Sequence, residues 1–133
     1  MSTAIRKTIL IKASVEKVWA ALTDPKAIGG WMAGEGIKVT LRKGGGYAFF
    51  GGETTGKFME IRRPNTLEYS WRQPGWQKAW ADSIVRWELN PKGKGTYLRL
   101  VHSQFPNTEE RDSHEESWDT QWLKPMKAWL EKK

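Results

Sequence analysis

The sequence contains no cysteine, and this absence removes several classes of chemistry. A chain of 133 residues without cysteine forms no disulfide, no thiolate zinc site and no cysteine nucleophile. It also lacks an apolar run of about 18 residues, the length that a membrane-spanning helix needs. Arg6, Lys7 and Lys12 interrupt the apolar core that a signal peptide would require. We therefore expect a cytoplasmic protein with no integral membrane association.

Catalytic and cofactor motifs are also missing. No Gly-x-Ser-x-Gly nucleophile elbow occurs. The run Gly44-Gly45-Gly46 is not followed by Gly-Lys-Ser/Thr, so hairpin geometry explains it better than a phosphate-binding loop. Glu110 and His114 are four residues apart, but one such pair without a second cluster is a weak metal signal. We assign no catalytic residue, no metal and no cofactor from these patterns.

Acidic residues are few in most of the chain. The net charge is +7, and residues 1–104 carry 17 basic and 8 acidic groups, whereas residues 105–133 carry 5 and 7. No Lys/Arg block is longer than two residues, and the charges are interspersed. This pattern is typical of a solvated surface that attracts anions. We therefore expect no nucleic-acid partner.

Tryptophan is abundant, with nine residues in the chain. Its large, partly apolar ring favours core walls, pockets and interfaces. Two interpretations follow from this count. The rings either fill the core themselves or form the walls of a cavity.

Short alternating segments predict a mainly antiparallel sheet. The first strand covers 5–12, and two short helices follow, one over 15–23 and one that starts at Pro25 and ends at Gly29-Gly30. Further strands are predicted over 37–41, 47–50, 55–62, 66–72, 82–89 and 96–104, with a hairpin loop over 90–95.

The end of the chain changes to helical spacing. Apolar residues at 118, 122, 126 and 129–130 form one stripe of a helix that covers about 108–132. Acidic residues lie in its first turns and lysines in its last, the order that the helix dipole favours. Pro125 predicts a kink near 121–125. The helix has to bury its stripe against the sheet, so we expect one α+β domain over 1–133.

Three segments carry a resemblance to a known superfamily. They are residues 13–25 with Trp31, the run Gly44-Gly45-Gly46-Tyr47, and residues 96–105. With the final helix, the chain resembles the START-like, birch-pollen-allergen-like (SRPBCC) superfamily, and is most similar to the family of the activator of heat-shock protein 90 ATPase. The resemblance implies the helix-grip fold, a seven-stranded curved antiparallel sheet around the C-terminal helix. It also implies an apolar cavity for a lipid, polyketide or flavonoid; some relatives are cyclases or dehydratases.

The predicted ligand site lies between sheet and helix. The residues that we expect to line it are Trp31, Phe58, Tyr69, Trp71, Trp87, Leu100, His102, His114, Trp118, Trp122 and Met126. His102 shares a strand face with Leu98 and Leu100, and His114 shares the helix stripe with Trp118, so both imidazoles are expected to approach one space. In one interpretation, both histidines act in the site as polar anchors or acid–base groups. In the other, His102 is a structural core residue and His114 is solvated at the start of the helix.

The predicted function is binding of a small hydrophobic or amphipathic ligand without turnover. The first alternative is a cyclase- or dehydratase-like enzyme. The second is a co-chaperone or stress-related protein-binding module, in which Trp76 and Trp80 form a protein contact or an entrance flap unless they fold back onto the core. A chaperone partner is disfavoured, because the activator's chaperone-binding N-terminal domain has no counterpart in this chain. A homodimer stays open, because the sheet has edges.

Overall fold

The computed structural model describes residues 3–32, 36–49 and 54–132. Seven antiparallel strands form one sheet in the order β1-β7-β6-β5-β4-β3-β2. The strands are β1 (Ile5–Ile11), β2 (Lys38–Val39), β3 (Gly46–Phe49), β4 (Thr54–Arg62), β5 (Thr66–Trp71), β6 (Ser83–Lys92) and β7 (Gly95–Ser103). Two short helices follow β1 and a long helix ends the chain, so the predicted helix-grip fold is confirmed.

Two predicted strands differ from the observed ones by more than one residue at an end. The hairpin loop expected over 90–95 is wrong, because β6 and β7 stay paired up to Lys92 and Gly95. The turn is therefore tight, and Gly93 takes a φ of +60° that a glycine adopts without strain. β2 is limited to Lys38–Val39. Phe50, the last residue of the strand predicted over 47–50, and the Gly51-Gly52 turn expected after it lie outside the described residues.

The two short helices are α1 (Val15–Thr23) and α2 (Pro25–Trp31). Ser14 caps α1 by accepting a hydrogen bond from the Lys17 amide, as its sequence position predicts. The predicted end of α2 at Gly29-Gly30 is wrong, since the helix continues to Trp31. A Cβ at Gly30 would lie 2.6 Å from the Trp129 ring. Gly30 therefore allows the C-terminal helix to approach α2 closely.

The C-terminal helix has three parts: α3 (Thr108–Ser117), a π-helical segment (Trp118–Leu123) and α4 (Lys124–Glu131). Asn107 caps it, because its side chain accepts from the Glu110 amide at 2.8 Å. The α-helical pattern breaks over the π-helical segment, which overlaps the region 121–125 where a kink was predicted; the kink itself stays a prediction. At this break the Lys124 amide donates to the Asp119 carbonyl, five residues back.

The inner face of the sheet and the helix stripe form the core. Along β6, Ser83, Val85, Trp87 and Leu89 are buried, and they alternate with residues on the outer face. On that outer face Arg86 forms ion pairs with Glu60, Glu68 and Glu88. The described part of the chain contains no helix that is long and apolar enough to cross a membrane.

Candidate functional site

The eleven predicted site residues are all buried, and the fold brings most of them together. Trp71, Trp87, Trp118 and Trp122 pack against one another between sheet and helix. Trp31 joins them through an edge contact with Trp122 at 5.4 Å between ring centroids. We call these five indole rings the tryptophan cluster.

The tryptophan cluster occupies much of the space in which a cavity was expected. The centroid of the Trp118 ring lies 4.8 Å from that of Trp122, 5.0 Å from Trp71 and 5.7 Å from Trp87. Rings at these distances are in contact and exclude a ligand from between them. Five of the nine tryptophans therefore fill the core at this position, which is one of the two interpretations of their abundance.

A second aromatic group lies beside the tryptophan cluster, on β3, β4 and β5. Tyr69 contacts Tyr47 and Phe58, with centroids 4.8 and 5.9 Å apart. The Trp87 indole donates to the Tyr69 hydroxyl at 2.9 Å. Burial raises the pKa of Tyr69 well above its usual value, so the phenol stays protonated at neutral pH. Tyr69 is thus a core hydrogen-bond acceptor.

His102 is fully buried on β7, and its hydrogen bonds define its tautomer. Trp118 donates its indole N–H to Nδ1 at 3.0 Å, so Nδ1 carries no proton. Nε2 therefore carries the proton and donates to the Ser83 hydroxyl at 2.7 Å, and Ser83 donates to the Trp71 carbonyl. Burial, and secondarily the nearby His114, lower the pKa of His102 well below 6.5.

His114 is buried as well, which contradicts the solvated position that one interpretation expected. Trp71 donates its indole N–H to Nε2 at 3.1 Å. Nδ1 then carries the proton, and it donates to the Glu110 carbonyl at 2.7 Å. The two imidazole centroids lie 5.4 Å apart, so the predicted approach of the histidines is observed. In each ring, the accepting nitrogen is used by a tryptophan indole.

One cleft remains open at the edge of the tryptophan cluster, with a volume of about 260 Å³. Trp71, Trp122 and His114 form its apolar wall. Its polar rim comes from the start of β4, the end of β5 and the C-terminal helix, and consists of Thr54, Gln73, Ser113, Ser117 and Gln121. None of these described residues carries a carboxylate, an ammonium or a guanidinium group. We call this site the rim cleft.

The sequence analysis missed the polar residues of the rim cleft. Gln73 precedes the break at Pro74, and its side-chain oxygen accepts from the Thr54 hydroxyl at 2.7 Å. Gln121 lies beside Trp122 on the π-helical segment. Adjacency to predicted aromatic residues was the one signal available. The spacing of the polar rim residues gave no signal, because strand ends and a π-helical turn do not follow a regular period.

The loop over 73–81 folds back onto the protein. Trp76 is 8% exposed, and its indole donates to the Glu110 carboxylate at 2.8 Å. Arg72 holds the loop by donating to the carbonyls of Gln77 and Trp80. Trp76 is thus packed against the start of the C-terminal helix, and Trp80 is half-buried against the core, so both rings fold back onto the protein.

Glu110 does not pair with His114 as a metal ligand. Its carboxylate accepts from Trp76, and its carbonyl accepts from the His114 ring. Over residues 3–32, 36–49 and 54–132, no group of three His, Asp or Glu side chains is placed to hold a metal ion.

The sequence comparison identifies the family. Residues 12–131 match the family model described as Activator of Hsp90 ATPase homolog 1-like protein. The chain belongs to this family. No curated protein sequence gives a significant match to this Hsp90 activator-like chain.

Solved structures resemble this member of the Hsp90 activator-like family over nearly all its length. CalU16 from Micromonospora echinospora is 28% identical over 96% of this chain and 76% of its own, with a TM-score of 0.82. PFC0360w, an HSP90 activator from Plasmodium falciparum, is 24% identical over 97% of this chain and 96% of its own, with a TM-score of 0.86. The Aha1 dimer from Colwellia psychrerythraea is 24% identical over the same shares, with a TM-score of 0.82. These structures share the fold of this chain.

Proposed function

We propose that this chain binds a small, uncharged amphipathic molecule in the rim cleft. The observation that carries the proposal is a cleft with an indole wall from Trp71 and Trp122 and a rim of neutral hydrogen-bonding groups. Such a combination, largely apolar with few polar groups that fix orientation, is typical of small-molecule sites.

The chemistry of the rim cleft selects the ligand class. The indole faces favour a flat, aromatic or conjugated ring system. The side-chain amides of Gln73 and Gln121 provide both donors and acceptors, which suit hydroxyl and keto groups. A charged ligand would find no counter-ion among the described lining residues. Flavonoid-like and aromatic polyketide molecules fit this description better than fatty acids do.

Binding without turnover fits the histidines better than catalysis does. A general base needs a free lone pair within reach of its substrate. The Nε2 lone pair of His114, the imidazole that lines the rim cleft, is used by the Trp71 indole. A cyclase- or dehydratase-like reaction would require Trp71 to move first.

One structural relative, DynU16, is described as a putative protein of the dynemicin biosynthetic locus; it is 20% identical over 98% of this chain and 48% of its own, with a TM-score of 0.79.

The test is a titration with flavonoids, aromatic polyketides and fatty acids, followed by tryptophan fluorescence and thermal shift. We expect saturable quenching by a flat neutral ligand. Gln73→Ala removes one rim amide and should weaken binding about 3- to 10-fold, the value of one hydrogen bond. Gln77→Ala is the matched control, because Gln77 is exposed on the neighbouring loop. Equal affinity for both variants, or no quenching by any ligand, would contradict the proposal.

A co-chaperone is the second candidate function. The observation that favours it is the full-length match to the HSP90 activator from Plasmodium falciparum. In this case the protein would act in the cytoplasm on an Hsp90-type chaperone, and a homodimer like the Colwellia Aha1 dimer would be its working form. Stimulation of Hsp90 ATPase by the purified chain tests this candidate, and no stimulation at saturating protein would exclude it.

A further inference from the structure

A basic depression lies at the opposite end of the sheet from the rim cleft. Its volume is about 330 Å³, and its lining consists of Leu10, Ile11, Lys12, Lys92, Lys94 and Gly95. Gly95 forms the floor, because a Cβ at this position would lie 2.6 Å from the Ile11 carbonyl oxygen. A glycine is therefore required for β1 and β7 to meet here. Its missing side chain leaves the depression open between the lysines.

Two large apolar side chains are exposed next to this depression. Leu10 and Tyr97 face each other across the β1–β7 pair, and they are 45% and 42% exposed. Both lie on the outer face of the sheet, away from the core. Exposed leucine beside tyrosine and lysine is an amphipathic combination rather than an ordinary charged surface.

The charge of this surface is neutralised only in part by its neighbours. Among the described ion pairs, none involves Lys12, Lys92 or Lys94. The nearest carboxylate, Glu131, accepts from the Lys127 ammonium at 2.6 Å and from the Lys12 backbone amide at 2.8 Å. Glu131 is engaged mainly by Lys127 and also attracts the Lys12 ammonium, so the excess of positive charge rests on Lys92 and Lys94.

We propose that this surface docks the protein onto an anionic phospholipid bilayer. The lysines reach the lipid phosphates, Tyr97 lies at headgroup level and Leu10 inserts into the acyl boundary. Each lysine near an anionic membrane surface strengthens binding about 5-fold. A nucleic acid would use the lysines but would gain nothing from an exposed leucine. The inference is independent of the rim cleft, which lies at the other end of the sheet.

The experiment is sedimentation of the full chain with phosphatidylcholine vesicles that contain either no anionic lipid or about 30% phosphatidylserine. We expect binding to the anionic vesicles alone, weakened at about 0.5 M salt. Lys92→Gln with Lys94→Gln should reduce affinity roughly 25-fold. Leu10→Ser should reduce it while leaving the charge unchanged. The control is Lys38→Gln with Lys57→Gln, which removes the same charge from the far side of the sheet and should bind like the wild type.

Three outcomes would overturn the proposal. The first is no binding to anionic vesicles at about 0.1 M salt. The second is an equal loss in the Lys92/Lys94 and Lys38/Lys57 double variants, since this would indicate a non-specific effect of net charge. The third is tight binding to a single-stranded RNA oligonucleotide without binding to vesicles. The melting temperature of each variant, followed by circular dichroism, separates loss of binding from loss of fold.

Discussion

At the residue scale, hydrogen bonds from tryptophan determine the state of both histidines. An indole N–H can only donate, so the imidazole nitrogen opposite Trp118 or Trp71 has to accept. The sequence predicted that His102 and His114 approach one space, because strand and helix periods place both inward. It could not predict which lone pairs remain free. The partners Trp71 and Ser83 are distant in sequence and reach the imidazoles only through the packing of β5, β6 and the helix.

The buried His102 makes stability depend on pH. The unfolded chain binds a proton at this position below about pH 6.5, whereas the folded state resists protonation, because burial lowers the pKa of His102. The unfolded state therefore binds more protons in this window, and stability falls as the pH falls, by up to about 1.4 kcal/mol per pH unit. His102→Asn keeps an acceptor for Trp118 but does not titrate. It should lower stability at pH 7 by about 2 kcal/mol and reduce the slope between pH 6.5 and 5.

Urea unfolding of wild type and His102→Asn at pH 7, 6 and 5 gives the free energy of unfolding at each pH and its slope with pH. Paired carboxylates such as Glu131 contribute mainly below this window, because Lys127 lowers the pKa of Glu131 further from 4.5. Parallel slopes for the two proteins would mean that the pKa of His102 is the same in the folded and unfolded states.

At the element scale, four buried residues of the C-terminal helix follow a strict four-residue repeat. His114, Trp118, Trp122 and Met126 are all buried. In an α-helix each four-residue step turns about 40° beyond a full turn, so three steps would carry Met126 about 120° away from His114. The wider turn of the π-helical segment removes part of this drift. The sequence predicted the stripe and a break near Pro125; the repeat of four was the signal for its π-helical form.

A π-helical segment contains one residue more than the α-helix that would fill the same length. Deletion of Thr120, which is exposed within it, should restore a regular α-helix with both flanks still facing the sheet. Deletion of the exposed Glu116 within α3 is the control, because it rotates the preceding turns by about 100° and takes His114 away from Trp71. In urea unfolding, we expect the deletion of Thr120 to lower the free energy of unfolding by about 1 kcal/mol. We expect the deletion of Glu116 to lower it by at least about 3 kcal/mol. Equal losses would show that the segment is not a one-residue insertion.

At the scale of the whole molecule, alternation and turn signals predicted the order of elements and the antiparallel sheet. These signals are local, so one sequence suffices to find them. The continuation of α2 to Trp31 was missed, because Gly30 is read from the sequence as a helix end, whereas in the structure it makes room for the Trp129 ring about a hundred residues later. The sequence also left undecided whether the interior is open or filled, because this too depends on residues that are far apart in the chain. The answer depends on the summed volume of rings from β5, β6 and the C-terminal helix.

The tryptophan cluster suggests that this chain fills with its own side chains a space that the same architecture can give to a ligand. Trp87 is fully buried, and it contacts both Trp118 and Trp122. Trp87→Ala should therefore leave an indole-shaped apolar cavity and lower stability by about 3–5 kcal/mol. Added indole should enter this cavity and raise the melting temperature of the variant, because a ligand that binds only the folded state stabilises it.

The same indole concentration should leave the wild type unchanged, since its ring already occupies the space. Trp129→Ala is the matched control, because Trp129 is 38% exposed and its removal opens no enclosed cavity. Thermal unfolding with and without indole measures all three proteins. A similar rise for the wild type would mean that the native interior already has room for an aromatic molecule, and the ligand site would then extend from the rim cleft into the core.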